Sequence, residues 1–177
     1  MMKTAFITGA ASGIGLATAQ ALYARGWQLG LADINENGLR ELTLGWDEQR
    51  IRCYALDVRD AEQCRQVIGG FASDHEQQLG LLFNCAGVLQ VDRFENISPA
   101  RHQQIVDINV TGVINCCLAA FPYLRHTSGS LVINMSSASA TYGIPMFASY
   151  SASKFAISGL TEALDLEWEE YGIRVVD

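Results

Sequence analysis

Charge is scarce in this chain and leans to one sign. Only 18% of its 177 residues are charged, 12 basic against 19 acidic, for a formal net charge of -7. The basic residues form no stripe. Nucleic acid is therefore not an expected partner, because phosphate binding needs clustered positive charge. The five cysteines, Cys53, Cys64, Cys85, Cys116 and Cys117, include no Cys-x-x-Cys pair. They offer neither metal-site spacing nor a paired framework, and read as reduced thiols acting as small apolar groups. No metal is expected. Met1-Met2-Lys3 leads straight into Thr4-Ala5-Phe6-Ile7-Thr8, with no apolar segment of signal length before it. No stretch of about 18 uncharged apolar residues stands out, so no membrane span is expected. Together with reduced thiols, this makes the cytoplasm the default location.

Apolar residues are what the chain has in quantity, at 49%. That is enough for one core and too much for a disordered chain. Short runs of Ile, Val, Leu and Phe alternate with longer amphipathic segments, the pattern of a parallel sheet covered on both faces. Strands are predicted at Thr4–Thr8, Gln28–Asp33, Arg52–Ala55, Leu81–Asn84, Ser130–Met135 and Ile173–Val176. A first helix starts near Gly13, with Ile14, Thr18, Ala21 and Leu22 as its buried face and Gly26 closing it. A second runs from after Asn35 toward Trp46, and a third follows the cap Asp60. The fourth opens on Ser98-Pro99 and extends to about Leu124, with a kink expected near Pro122. The fifth contains Tyr150 and runs to about Glu170, ended by Gly172. No repeat or linker interrupts the series, so residues 1–177 read as one domain.

The turn after the first strand reads Thr8-Gly9-Ala10-Ala11-Ser12-Gly13-Ile14-Gly15. Gly9 lets the chain leave the strand sharply, Gly13 clears bulk where a pyrophosphate approaches backbone, and Gly15 permits close packing. The helix start offers unpaired N–H groups to a diphosphate. A glycine pattern alone is also what an ordinary flexible loop shows; its place between first strand and first helix favours the nucleotide reading. Asp33 ends the second strand, 18 residues after Gly15. A carboxylate there accepts both hydroxyls of an adenosine ribose and repels a 2′-phosphate, and the turn carries Ala10 and Ala11 rather than Arg or Lys. NAD(H) is preferred over NADP(H) on both grounds.

Tyr150 and Lys154 lie one helical turn apart and share a face. A free phenol titrates near 10 and is a poor proton exchanger at neutral pH, and a neighbouring ammonium favours its ionised form. Ser137 stands 13 residues before Tyr150, just past an apolar strand, where a hydroxyl points into the ligand crevice of an open α/β sheet and can donate to a developing oxyanion. Tyr-x-x-x-Lys alone is a common surface pair; chance explains it poorly once Ser137 and the glycine turn are added.

Taken together, these motifs resemble the short-chain dehydrogenase/reductase family in its compact single-domain branch. The glycine turn matches in type and spacing. Asp57-Val58 resembles the pair that holds the adenine. Asn84-Cys85-Ala86-Gly87 resembles the family's Asn-Asn-Ala-Gly segment. Asn109 matches its helix asparagine, and Ser136-Ser137 with Tyr150-Ser151-Ala152-Ser153-Lys154 matches its catalytic segment. The resemblance implies a Rossmann-type doubly wound parallel sheet of order 3-2-1-4-5-6. It implies hydride transfer between the nicotinamide and a secondary alcohol or ketone. Tyr150 would be the general acid or base, and Lys154 would tune it and bind the nicotinamide ribose. Ser137 would polarise the carbonyl, and Asn109 would hold a relay water. Gly9, Ser12, Gly13, Ile14, Gly15, Asp33, Asp57, Val58, Asn84, Ala86 and Gly87 would line the cofactor with Tyr150 and Lys154.

Two departures stand out. Cys85 replaces an asparagine. The chain also stops at Arg174-Val175-Val176-Asp177, so the family's final strand and substrate lid are expected to be missing from it. A chain that binds NAD without turnover, as a regulatory protein, is the alternative from another class. A sugar-nucleotide epimerase fits less well, since the glycine spacing differs from that branch. A small-molecule alcohol or carbonyl is the expected partner. The fifth helix carries Ala152, Ala156, Gly159 and Ala163 on one face, and the family resemblance implies a homodimer or homotetramer through the fourth and fifth helices. Leu89, Ala138, Tyr142 and Phe147 are candidate substrate-pocket residues. His75, His102 and His126 read as solvated surface groups, and Trp27, Trp46 and Trp168 as packing.

Overall fold

The computed structural model describes residues 3–177; Met1 and Met2 lie outside the described residues. Six strands form one parallel sheet: β1 (Thr4–Thr8), β2 (Gln28–Asp33), β3 (Ile51–Ala55), β4 (Leu81–Asn84), β5 (Leu131–Asn134) and β6 (Arg174–Val176). Their order is β3-β2-β1-β4-β5-β6, every neighbour parallel. The order reverses direction between β1 and β4, and that switch point opens a crevice beyond the strands' carboxyl ends.

The period of two along each strand divides the core. Phe6 and Leu82 face one side, where they pack with Ile68, Phe71 and Cys116. Ala5, Ile7, Leu81 and Phe83 face the other, with Ala19, Leu31 and Leu39. β1 and β4 are buried at every position, which is why they read as continuous apolar runs rather than alternating ones.

The helices are α1 (Gly13–Ala24), α2 (Glu36–Leu42), α3 (Ala61–Ser73), α4 (Pro99–Val106), α5 (Gly112–Leu124) and α6 (Ala148–Trp168). The caps fall where side-chain chemistry demands them. Asn35 accepts from Gly38 N, Asp60 from Glu62 and Gln63 N, and Ser98 from Arg101 N. Gly26 and Gly172 take left-handed conformations just past helix ends.

Three expectations need correction. The buried face of α1 is Gly15 and Ala19, with Leu22 partly covered, while Ile14 is 59% exposed and Ala21 also faces out. The apolar pattern was read one step out of phase, because Ile14 faces the crevice. The second helix ends at Leu42, with a turn carrying Trp46, where its ring stacks on Tyr23 at 4.2 Å. α4 and α5 form one helical run, as expected, but the irregularity in it is a π-helical turn at Asp107–Thr111. Pro122 lies inside α5. Pro99–Leu124 is, by length and composition, long and apolar enough to cross a membrane. Here that helix contributes Val113, Cys116, Cys117, Ala120 and Leu124 to the sheet core.

Candidate active site

Thr8 ends β1, and Gly9 turns off it with φ of +67°. A Cβ at Gly9 would lie 2.8 Å from the Ala86 backbone, and one at Gly15 would lie 2.3 Å from the Gly9 carbonyl oxygen. The turn is therefore packed against the end of β4 and against itself, with no room for side chains. The Thr8 hydroxyl oxygen accepts from both Cys85 N (3.1 Å) and Ala86 N (3.2 Å). It locks the two strand ends that flank the switch point, a role the sequence reading did not assign. Ser12 begins α1 but makes no capping bond with its side chain, so the first-turn N–H groups of that helix are not satisfied from there.

A cavity of about 560 Å³ lies over this turn. Its wall includes Gly9, Ser12, Gly13, Ile14, Asp33, Asp57, Val58, Ala86, Gly87, Tyr150 and Lys154. Residues far apart in sequence, from the glycine turn to α6, thus meet on one surface. Asp33 sits at one end of it with both oxygens engaged: Oδ2 accepts from Ala11 N and Oδ1 from Asn35 N, each at 3.0 Å. Asp57 is held by Arg59, whose Nη2 donates at 2.5 Å. That bond keeps the Asp57 carboxyl below its usual range. Arg59 itself lines the cavity, as do Ile34, Leu56, Val88, Gln104, Ile108 and Met135. None of these has a motif of its own; only the fold turns them inward.

At the other end, Lys154 is 4% exposed. Its Nζ donates to the Met135 carbonyl at 2.6 Å and lies 5.6 Å from the Tyr150 ring centroid. Among the described residues no carboxylate pairs with it. Burial pushes its ammonium below the ordinary lysine value. Tyr150 is half-buried, braced by the Phe147 ring at 6.2 Å. Ser137 caps the short helical turn Ala138–Ala140, its oxygen accepting from Ser139 N at 3.1 Å. Neither Ser137 nor Asn109 is part of the cavity wall.

Two residues have other duties than those expected. The Asn109 side chain is committed. Its Oδ1 accepts from Val88 N at 2.8 Å, and its Nδ2 donates to Val88 O and to Ser153 Oγ. It ties the π-helical turn to the segment after β4 and to α6. A water relay would have to use backbone rather than this amide. Asn84 lies in the core. It donates to Asn134 Oδ1 at 2.8 Å, and Asn134 donates on to Thr161 Oγ1 at 3.0 Å. It clamps β4 to β5 and α6 and does not line the cavity. Gly15 likewise acts inside the turn. Cys85, the departure from the family pattern, sits half-buried on the cavity wall, its thiol pushed up by burial.

Of the candidate substrate residues, Leu89 lines the cavity; Ala138, Tyr142 and Phe147 do not. His102 is not a solvated group. Its Nδ1 meets Ser149 Oγ at 2.5 Å and its Nε2 meets the Phe94 carbonyl at 3.2 Å. His75 bonds Phe71 O at 2.7 Å.

A doubly wound parallel sheet, with a glycine turn at its switch point and a tyrosine–lysine pair across the crevice, defines a Rossmann-type α/β protein. The chain belongs to the short-chain dehydrogenase family, whose model matches residues 3–177. It is 33% identical to the D-threitol dehydrogenase of Mycolicibacterium smegmatis, over 98% of this chain and 67% of that protein. It is 32% identical to the 3alpha-hydroxysteroid dehydrogenase of Mediterraneibacter gnavus, over 98% and 70%. A short-chain dehydrogenase from Streptomyces avermitilis superposes with a TM-score of 0.90 at 29% identity, over 99% of this chain and 64% of that one. The chain thus spans about two thirds of the length of these relatives. Members of the family are oxidoreductases acting on alcohols or ketones, with NAD(H) or NADP(H).

Proposed function

We propose that the chain is the cofactor-binding and catalytic part of an NAD(H)-dependent oxidoreductase that interconverts a secondary alcohol and a ketone. The observation that carries the reading is the Lys154 ammonium, buried beside Tyr150 with a single carbonyl acceptor, on the wall that also holds the glycine turn and Asp33. A buried cation with donors to spare is costly unless a ligand completes its hydrogen bonds. Ribose hydroxyls fit that need.

Ser12 and the backbone of Gly13 and Ile14 would take the diphosphate. Asp33, already aligned by two N–H groups, would take the adenosine ribose and disfavour a 2′-phosphate. Asp57 and Val58 would flank the adenine, with Ala86 and Gly87 beneath. Bound NAD(H) supplies the hydride donor or acceptor. The protein's part is proton management: Tyr150 gives a proton to the carbonyl oxygen in reduction and takes it from the alcohol in oxidation. Lys154 puts positive charge beside the phenol, which favours negative charge there as the proton leaves. Ser137 donates to the same substrate oxygen. Asn109 keeps Val88 and α6 in register.

Residues 1–177 are read as one nucleotide-binding domain of a cytoplasmic homo-oligomer. Ala152, Ala156, Gly159 and Ala163 are all exposed on α6, and Leu118 of α5 (67%) and Leu166 of α6 (75%) are exposed as well. Helix faces of this kind suit close packing against a second copy; gel filtration with light scattering tests it.

Tryptophan-to-NADH energy transfer checks cofactor binding, and a panel of secondary alcohols with NAD and NADP checks turnover. Binding with no turnover by any length of the protein would favour the regulatory alternative. No binding of either cofactor would overturn the reading.

A further inference from the structure

Behind the adenine end of the crevice, α3 and α5 meet through two cysteines. Cys64 and Cys116 are fully buried, and their sulfurs are 3.8 Å apart. Neither takes part in the proposed chemistry. The Cys64 thiol also donates to the Val58 carbonyl at 3.6 Å, and Asn115, next to Cys116, donates its amide to the same carbonyl at 2.9 Å. A Cβ at Gly112 would lie 2.5 Å from the Val58 side chain, so α5 is seated directly on this residue. Val58 lines the cavity. The carbonyl of one wall residue is therefore held jointly by one thiol and by the neighbour of the other.

We infer that Cys64 and Cys116 form a redox-sensitive dithiol whose oxidation to a disulfide loosens the Asp57–Arg59 wall and weakens cofactor binding. The site is intramolecular and its oxidant is a small peroxide. The Cys64 sulfur attacks one peroxide oxygen; an S–O bond forms, the O–O bond breaks and water leaves. The Cys116 sulfur then displaces the sulfenic oxygen as a second water. Two thiols and one hydrogen peroxide thus become one disulfide and two waters. The hydrogen bond with Cys116 holds the Cys64 thiol below the ordinary cysteine value.

Geometry supplies the consequence. A disulfide needs its sulfurs at about 2.05 Å, so the 3.8 Å gap closes by rotation of the two side chains together with any shift of α3 against α5. The Cys64 S–H is consumed, which removes one of the two donors to Val58 O. The Asn115 amide moves with the helix that carries it. Because both sulfurs are fully covered, the reaction proceeds through local opening of α3 against α5 and is slow compared with that of an exposed thiol.

The cofactor consequence rests on the reading above, so the test separates the two. The chain is treated with hydrogen peroxide, then mapped by non-reducing peptide mass spectrometry. Hydrogen exchange at residues 57–60 and NADH affinity are measured before and after. The expected result is a Cys64–Cys116 linked peptide, faster exchange at 57–60, and an NADH Kd raised roughly fivefold or more. Dithiothreitol should reverse all three, and Cys116→Ala should abolish them. Should that variant fail to fold, Cys64→Ala serves the same comparison. If the intact, folded chain yields no such link, or yields it with exchange at 57–60 unchanged, the inference is overturned. A reduced chain that shows no NADH binding would instead overturn the cofactor reading, leaving the link and the exchange rates to decide the dithiol.

Discussion

The two ends of the crevice are built differently. At the end proposed for the nucleotide, the two carboxylates and the strand ends are already held by the protein. Asp33 accepts two backbone N–H groups, Asp57 is clamped by Arg59, and Thr8 secures the ends of β1 and β4. At the reactive end, Lys154 has one carbonyl acceptor and Ser137 accepts a single N–H. One end is a finished mould that positions by shape and fixed charge. The other keeps donors in reserve, and a buried group held in reserve costs stability. On the proposed function, recognition and chemistry are separated along the same wall.

The strongest way to break this contrast is at the reactive end. Tyr150→Phe, in the protein that carries this chain, should lower kcat by about 10²- to 10⁴-fold. NADH affinity by energy transfer should change little. Loss of binding equal to loss of rate would mean the phenol only fills space.

Lys154→Met should cost roughly a hundredfold in kcat/KM and also carries a stability signature. The folded-state value of Lys154 is lowered by burial, so the unfolded chain binds the proton more tightly. The penalty of the buried charge is complete below the folded value and is relieved as pH rises toward the ordinary lysine value. Thermal unfolding of wild type and variant should therefore diverge in favour of the methionine form as pH falls from about 10 to 7. A pH-independent difference would mean that the ammonium suffers no such penalty.

At the nucleotide end, effects should be smaller and confined to affinity. Asp33→Asn should erode the preference for NADH over NADPH by roughly tenfold, read as the ratio of two dissociation constants. A chain that prefers NADPH from the outset would remove the argument from Asp33.

The mildest probe asks whether Asn84 belongs to the crevice at all. Asn84→Ala strips Asn134 of its donor and should cost about 1–3 kcal/mol of stability, measured in denaturant. NADH affinity should stay within about twofold, well under the 1.4 kcal/mol that a tenfold change represents. A large affinity loss without destabilisation would return Asn84 to the cofactor site.

Much of this architecture could be read from residue order because local rules dominate it. The strands are short apolar runs, and four of the helix caps or stops rest on Asn35, Asp60, Ser98 and Gly172, whose side chains or conformational freedom act within a turn. Ile14 shows where local reading fails. An isoleucine at helical spacing looks like core, and only the crevice beside it explains its exposure. The π-helical turn at Asn109 was equally hidden, since it depends on an amide reaching back to Val88 and across to Ser153. Asn84 and Asn109 were recognised as motif residues, yet their bonding partners lie 50 and 44 positions away.

By itself, the order of residues determined the apolar strand segments, the glycine turn and the Tyr150–Lys154 spacing, because each depends on contacts within a strand, a turn or one helical repeat. The tertiary structure alone decided which side chains face the crevice, that Lys154 is buried with one acceptor, that Asn84 meets Asn134, and that Cys64 meets Cys116. Those facts depend on how distant elements pack, and packing is set by the whole sheet rather than by any segment of it.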